Sequence, residues 1–181
     1  MNRLAIFLLG ATLMMFASDI GSGSVNAAEP KVGEPAPDFQ LVGSDGKTYK
    51  LSDFKDKSAV VVAWFPKAHT SGCTLECKSM KASSAALQKY KAAYFTASVD
   101  QPADNKKFAE DLGLDFPILS DPTRETALAY GVVDNKQGMA RRWTFYIGLD
   151  GKLAAVDKSV KVGSHGPDIA AKLKELGVPE K

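Results

Sequence analysis

An α/β domain with a mixed central sheet is the fold class this sequence predicts, on three observations. The apolar run Ala59 to Phe65 has the length and continuity of a strand buried on both faces. Strand-like and helix-like segments alternate through the middle of the chain. Two Asp-Gly pairs, Asp45-Gly46 and Asp150-Gly151, stand between short apolar runs and signal hairpins toward either end.

The elements follow in order. Gly33-Glu34-Pro35-Ala36-Pro37 reads as an extended lead-in, and Phe39 to Val42 with Thr48 to Leu51 flank Asp45-Gly46 as the first hairpin. After the strand at Ala59 to Phe65 comes a helix from about Gly72 to Lys91, because Cys73, Cys77, Met80, Ser84 and Leu87 mark one buried face by their spacing. A strand at Tyr94 to Ser98, a helix at Ala103 to Leu112 ending at Gly113, and a strand around Pro117 to Leu119 come next. Asp121-Pro122 suits the N-cap and first turn of a helix ending near Gly131. Thr144 to Ile147 and Leu153 to Val156 are joined across Asp150-Gly151, and Ile169, Ala170, Leu173 and Leu176 give the last helix an apolar face.

With 181 residues, 45% of them apolar, the chain suits one domain with a substantial core. Its beginning reads differently. Arg3 precedes an uncharged apolar stretch from Leu4 to Ala17, then a Gly/Ser-rich segment and Val25-Asn26-Ala27, the three-part layout of a secretory signal peptide. Residues 1–27 are therefore expected to be the signal, cut after Ala27 or after Ala28, and residues 28–181 the domain. The apolar stretch is short of the roughly 20 residues that span a bilayer. No cysteine lies near the cut for a lipid anchor. An exported, periplasmic protein without stable membrane association is expected.

Cleavage removes Arg3 and Asp19 together, so the formal charge stays at +2. That balance gives no electrostatic case for nucleic acid or an anionic surface. Lys172-Leu173-Lys174 reads as a solvated helix face.

Chemistry is concentrated where the buried strand hands over to its helix. Cys73 falls in the first helical turn, where unpaired backbone N–H groups and the positive end of the helix dipole favour the thiolate, the reactive form of the side chain. Cys77 follows four residues later. On an intact helix such a pair has Cβ atoms about 5 to 6 Å apart, whereas a disulfide takes about 3.5 to 4.5 Å. A bridge would require the first turn to unwind, and so short a loop adds little as a staple.

Pro66, Thr70 and Cys73 fit Pro-x-x-x-Thr-x-x-Cys, the active-site motif of peroxiredoxins, and Phe65-Pro66-Lys67-Ala68-His69-Thr70-Ser71-Gly72-Cys73-Thr74 resembles the bacterioferritin-comigratory-protein or PrxQ branch of the AhpC/TSA superfamily. The likeness continues through Phe116-Pro117-Ile118-Leu119-Ser120-Asp121-Pro122, Ala129-Tyr130-Gly131-Val132 and Arg142-Trp143-Thr144-Phe145, and covers nearly all of residues 31–177.

The resemblance implies a thioredoxin-like fold with an N-terminal β-hairpin extension, and thiol-dependent reduction of hydrogen peroxide and small organic hydroperoxides. It implies Cys73 as the peroxidatic nucleophile, Thr70 as a hydrogen-bond partner of the peroxide and Arg142 as the cation that stabilises both thiolate and departing oxygen. Pro66 would shield the sulfur. No cofactor or metal is implied; the partner is a thioredoxin-like dithiol reductant, which for an exported protein is not cytosolic thioredoxin, and the chain is expected as a monomer or weak dimer. A strand running from Arg142 through Thr144 points alternate residues to opposite faces, so only one of Arg141 and Arg142 is expected to reach the sulfur. Trp64 and Trp143 read as core or pocket wall. His69 and His165, lacking triad or metal spacing, read as exposed or loop residues.

The PrxQ branch commonly carries its resolving cysteine five residues after the first, where this chain has Lys78. Cys77, one residue earlier, is the internal candidate for condensing with the sulfenic acid of Cys73. The alternative is a one-cysteine mechanism in which an outside thiol attacks directly. A second functional class, an exported Sco-like copper-delivery protein, also fits Cys-x-x-x-Cys, since two thiolates suit Cu(I). That family adds a histidine shortly before the late strand, where this chain has Met139-Ala140-Arg141-Arg142.

Overall fold

In the computed structural model, which describes residues 29–181, the first hairpin is β1 (Gln40–Gly43) and β2 (Thr48–Lys50), turned with Gly46 at φ 80°. The expected signal peptide, residues 1–27, lies outside the described residues. β3 (Ala59–Trp64) is buried along its whole length. β4 (Ala92–Ser98) and β5 (Ile118–Ser120) complete a parallel centre, and β6 (Thr144–Ile147) with β7 (Leu153–Asp157) form the second hairpin. The strand order is β2-β1-β5-β4-β3-β6-β7, with β1 antiparallel to β5 and β6 antiparallel to β3. This is the mixed sheet that the sequence predicts.

Helices α1 (Ser71–Ala82), α2 (Ser84–Leu87), α3 (Pro102–Leu112), α4 (Glu125–Ala129) and α5 (His165–Glu175) cover the sheet. The pleat of β3 divides the core between two faces. Val60, Val62 and Trp64 pack with Phe39, Phe95, Ala127, Tyr130 and Phe145. Ala59, Val61 and Ala63 pack with Met80 and Leu87, and with Ile169 and Leu173 of α5. A smaller cluster of Phe65, Ala68, Cys73, Cys77, Phe108 and Ile118 sits where α1 and α3 meet the ends of the central strands.

Two helix boundaries differ from the sequence reading. The single helix expected over Gly72 to Lys91 is broken at Ser83, whose backbone sits at φ −99° and ψ 4°, with Ser83 N donating to Met80 O in a tighter turn. Packing against α5 crowds this point: a Cβ on Gly166 would stand 2.3 Å from Ser79 O and 2.5 Å from Ser83 Oγ. The apolar stripe survives the break, since Cys73, Cys77, Met80, Ser84 and Leu87 are all buried. The helix expected from Asp121-Pro122 begins only at Glu125, after Arg124 at φ 62°. Asp121 still serves it, because Oδ2 accepts from Ala127 N at 2.7 Å while Oδ1 accepts from the Thr123 hydroxyl at 2.9 Å. β6 spans Thr144–Ile147 as expected, but no strand runs from Arg142, and both arginines belong to the preceding loop.

Candidate active site

Phe65 to Thr70 links β3 to α1, and its shape fixes what surrounds the first turn of that helix. Phe65 N donates to Ala97 O at 2.9 Å, which continues the sheet by one residue. Ala68 N donates to Asp100 Oδ2 at 2.8 Å, tying the middle of the loop to the end of β4. His69 then takes φ 62°, a left-handed conformation uncommon outside glycine. Its ring is exposed and lies against Phe108 at 4.9 Å between centroids.

Thr70 occupies the N-cap position of α1, yet its hydroxyl makes no capping bond and instead donates to Lys67 O at 2.9 Å. The first intrahelical bond is Thr74 N to Thr70 O, so the N–H groups of Ser71, Gly72 and Cys73 have no partner within the helix. They are left to face a negative charge at the helix head, where the dipole also favours it. Pro66, half-buried, opens the loop.

Cys73 is fully buried in that first turn. Arg142 comes to it from the loop before β6, with Nη2 3.4 Å from Sγ, and the guanidinium also lies 3.4 Å from where a Cβ on Gly72 would stand. The same guanidinium pairs through Nη1 with Glu76 Oε2, one turn further along α1. Arg141 points away, donating to Gly131 O at 2.9 Å and to Asp134, and packing 5.5 Å from the Trp143 ring centroid. One arginine reaches the sulfur and the other does not, although both sit in loop rather than strand. Trp64 is in the core and Trp143 is packed against it, as expected.

Cys77 is also fully buried, on the same face of α1, and both thiols are free. Burial, and next the nearby Cys73, push the Cys77 thiol up to about 12, against a smaller opposite pull from the Thr96 hydroxyl. In the folded helix Cys77 is a neutral thiol at physiological pH.

Glu76 and His165 are what the sequence reading missed. Glu76 is fully buried, and the signal was its place on the Cys73, Cys77, Met80 stripe: an acid at a core-facing position. His165, expected to be exposed or in a loop, is 1% exposed at the start of α5, with Nδ1 2.9 Å from Glu76 Oε1 and Nε2 2.8 Å from Thr144 Oγ1. Its neighbours on β6 and α1 are distant in sequence, so spacing along the chain carried no trace of the contact. Burial, chiefly, lowers its pKa to about 4, Asp157 and Asp168 opposing and Arg142 reinforcing, which leaves the ring neutral.

The copper reading does not survive this geometry. The group that meets Cys73 is a guanidinium, which repels a cation, and among the described residues no group of three or more His, Cys, Asp or Glu is placed to hold a metal ion.

Comparison with known proteins points the same way. A family model described as AhpC/TSA family matches residues 32–156. Peroxiredoxin Bcp of Bacillus subtilis (strain 168) is 32% identical over 152 residues, covering 81% of this chain and 96% of that protein. Peroxiredoxin Bcp of Escherichia coli (strain K12) is 32% identical over 151 residues, covering 80% of this chain and 96% of that protein. Among solved structures, peroxidoxin BcpB from Mycobacterium tuberculosis superposes with a TM-score of 0.74 at 28% identity, covering 81% of this chain and 98% of that one.

Proposed function

The chain belongs to the AhpC/TSA family and is a thiol peroxidase of the Bcp/PrxQ kind, and from that premise we propose that Cys73 is the sulfur that attacks the peroxide. The observation that carries the assignment is Arg142 Nη2 at 3.4 Å from Cys73 Sγ, at a helix head whose first N–H groups are uncapped. The thiolate forms a bond to one peroxide oxygen as the O–O bond breaks. Sulfur is oxidised by two electrons to sulfenic acid, and the departing oxygen takes a proton to leave as water or an alcohol. Charge that develops on that oxygen is met by Arg142 and the N–H groups of the first turn. Thr70, whose proton is engaged by Lys67 O, has lone pairs to accept the peroxide O–H. Pro66, half-buried at the mouth of the loop, excludes water without adding a donor.

Hydrogen peroxide and small organic hydroperoxides are the substrates that suit a fully buried sulfur. Cys77 resolves the sulfenic acid: its thiol displaces the hydroxyl as water and forms a disulfide, which a thioredoxin-like dithiol then reduces. Export to the periplasm, with residues 1–27 removed, belongs to the same reading and is tested by the N-terminal mass of the protein recovered outside the cytoplasm. The mature protein with a dithiol donor is expected to consume hydrogen peroxide, and Cys73→Ser to consume none. Undiminished peroxide consumption by Cys73→Ser would overturn the assignment.

A further inference from the structure

A carboxylate in a protein core is costly unless both of its oxygens are engaged. Glu76, fully buried, gives Oε2 to Arg142. Its other oxygen, Oε1, stands 2.9 Å from His165 Nδ1, a charge–dipole contact without hydrogen-bond alignment, and neither of these atoms has a hydrogen-bond partner. The opposite ring nitrogen, Nε2, is 2.8 Å from the Thr144 hydroxyl. One tautomer suits both contacts: with Nε2 accepting from Thr144 the proton sits on Nδ1, the ring atom beside the carboxylate.

Thr144 stands two residues after Arg142, where β6 begins and pairs with Ala63 of β3. The contacts therefore close on themselves. They run from Arg142 to Glu76, to His165, to Thr144, and back along the backbone to Arg142. The ring draws together α1, α5 and the head of β6 directly behind the Cys73 sulfur.

We propose that His165 is a positioning residue for peroxide reduction, holding Glu76 so that Arg142 is fixed over Cys73. The proposal rests on Cys73 being the reacting sulfur. A guanidinium is a rigid plane, so the placement of Nη1 on Glu76 sets the placement of Nη2 on the sulfur. A carboxylate gripped at one oxygen only is free to turn about its last torsion, whose energy wells are broad. Such a turn carries Nη1 with it and takes Nη2 off the sulfur. An error of about 1 Å at a reacting centre can cost on the order of a hundredfold in rate.

The test separates the two half-reactions of the mature protein by stopped flow: oxidation of Cys73 by hydrogen peroxide, and reduction of the oxidised protein by dithiothreitol. His165→Leu is expected to slow the peroxide step roughly tenfold to a hundredfold and leave the reductive step within about twofold. His165→Asn, whose amide N–H can still reach Glu76, is expected to restore most of the lost rate. A merely structural histidine would shift both steps together, or neither, and Asn would restore nothing in particular. A folded His165→Leu protein with an unchanged peroxide step overturns the proposal, as does His165→Asn slowed equally with it. Should His165→Leu not fold, Thr144→Val frees Nε2 while keeping core volume; the peroxide step is then expected to slow roughly threefold to tenfold, and no slowing overturns the proposal. Failure of the sulfur assignment reads differently: peroxide consumption would then persist in Cys73→Ser, whatever residue 165 does.

Discussion

Arg142 stands with Nη2 3.4 Å from the sulfur of Cys73, a contact made across 69 residues of sequence. Cys73 is held by the first turn of α1, and Arg142 by a loop that enters β6 and gives Trp143 O to Trp64 N at 2.8 Å. The cation is thus in place without a ligand, as the role proposed for it at the departing oxygen requires.

Arg142→Lys keeps the charge and loses the fork. A single ammonium cannot span Glu76 and the sulfur as the guanidinium does, so oxidation of Cys73 by peroxide is expected to slow about a hundredfold to a thousandfold. Single-turnover kinetics at fixed pH measure it; a loss under threefold would mean that Arg142 is not the leaving oxygen's partner. Arg142→Ala is a poorer probe, because it strands the fully buried Glu76 carboxylate and is expected to cost stability as well.

Asp100 shapes the active-site loop without touching the sulfur. Its carboxylate accepts Ala68 N at 2.8 Å, next to the left-handed His69, and its own N is held by Ser98 Oγ at 3.2 Å. Asn105, fully buried, in turn bonds Ser98 and Ser120 at 2.9 Å each. Loss of a hydrogen bond to a charged group costs roughly 1.5 to 3 kcal/mol. Asp100→Ala is therefore expected to lower the melting temperature by several degrees and to slow peroxide oxidation through a looser Pro66 to Thr70 segment. Asp100→Asn, which keeps an acceptor, should fall between; equal melting curves for all three proteins would exclude the role.

Cys77 tests the recycling route. Burial and the neighbouring sulfur push its thiol up to about 12, so it is a poor nucleophile until the helix opens. After one equivalent of peroxide, mass spectrometry is expected to find a Cys73–Cys77 bridge, with faster backbone hydrogen exchange in the first turn of α1 than in the reduced protein. Cys77→Ser should instead accumulate a sulfenic acid that dimedone traps. Wild-type turnover by Cys77→Ser, with no bridge in the native protein, would assign resolution to an outside thiol.

What could be read in the sequence was local. Ala59 to Phe65 announced its strand by continuity, Asp45-Gly46 and Asp150-Gly151 their hairpins, and the motif around Cys73 the sulfur at a helix head. The break at Ser83 falls where α5 packs close through Gly166, some eighty residues on, and the stripe of buried residues runs through it undisturbed. His165 was misread for the same reason. A histidine's environment is decided by what tertiary packing sets beside it, here a carboxylate from α1 and a hydroxyl from β6. Glu76 was half legible, an acid on a core-facing stripe, but its partner arginine lies 66 residues away.

His165 also makes stability depend on acidity, and the sign is fixed by its burial. In the unfolded chain the imidazole titrates near 6.5, while burial in the fold, reinforced by Arg142 and opposed by Asp157 and Asp168, brings it down to about 4. The Glu76 carboxylate at 2.9 Å would alone favour the imidazolium, but its charge is already engaged by Arg142. Between pH 4 and 6.5 the unfolded state thus binds a proton that the folded state refuses. This contribution is fully present above pH 6.5 and is lost as pH falls toward 4, by up to about 3 kcal/mol in all. Urea denaturation at pH 7.5, 6 and 5 should show the wild type losing stability more steeply than His165→Asn, which has no proton to take up there. Carboxylates shared by the two proteins cancel in that comparison, so parallel profiles would mean that the buried ring accepts its proton as readily as a free one.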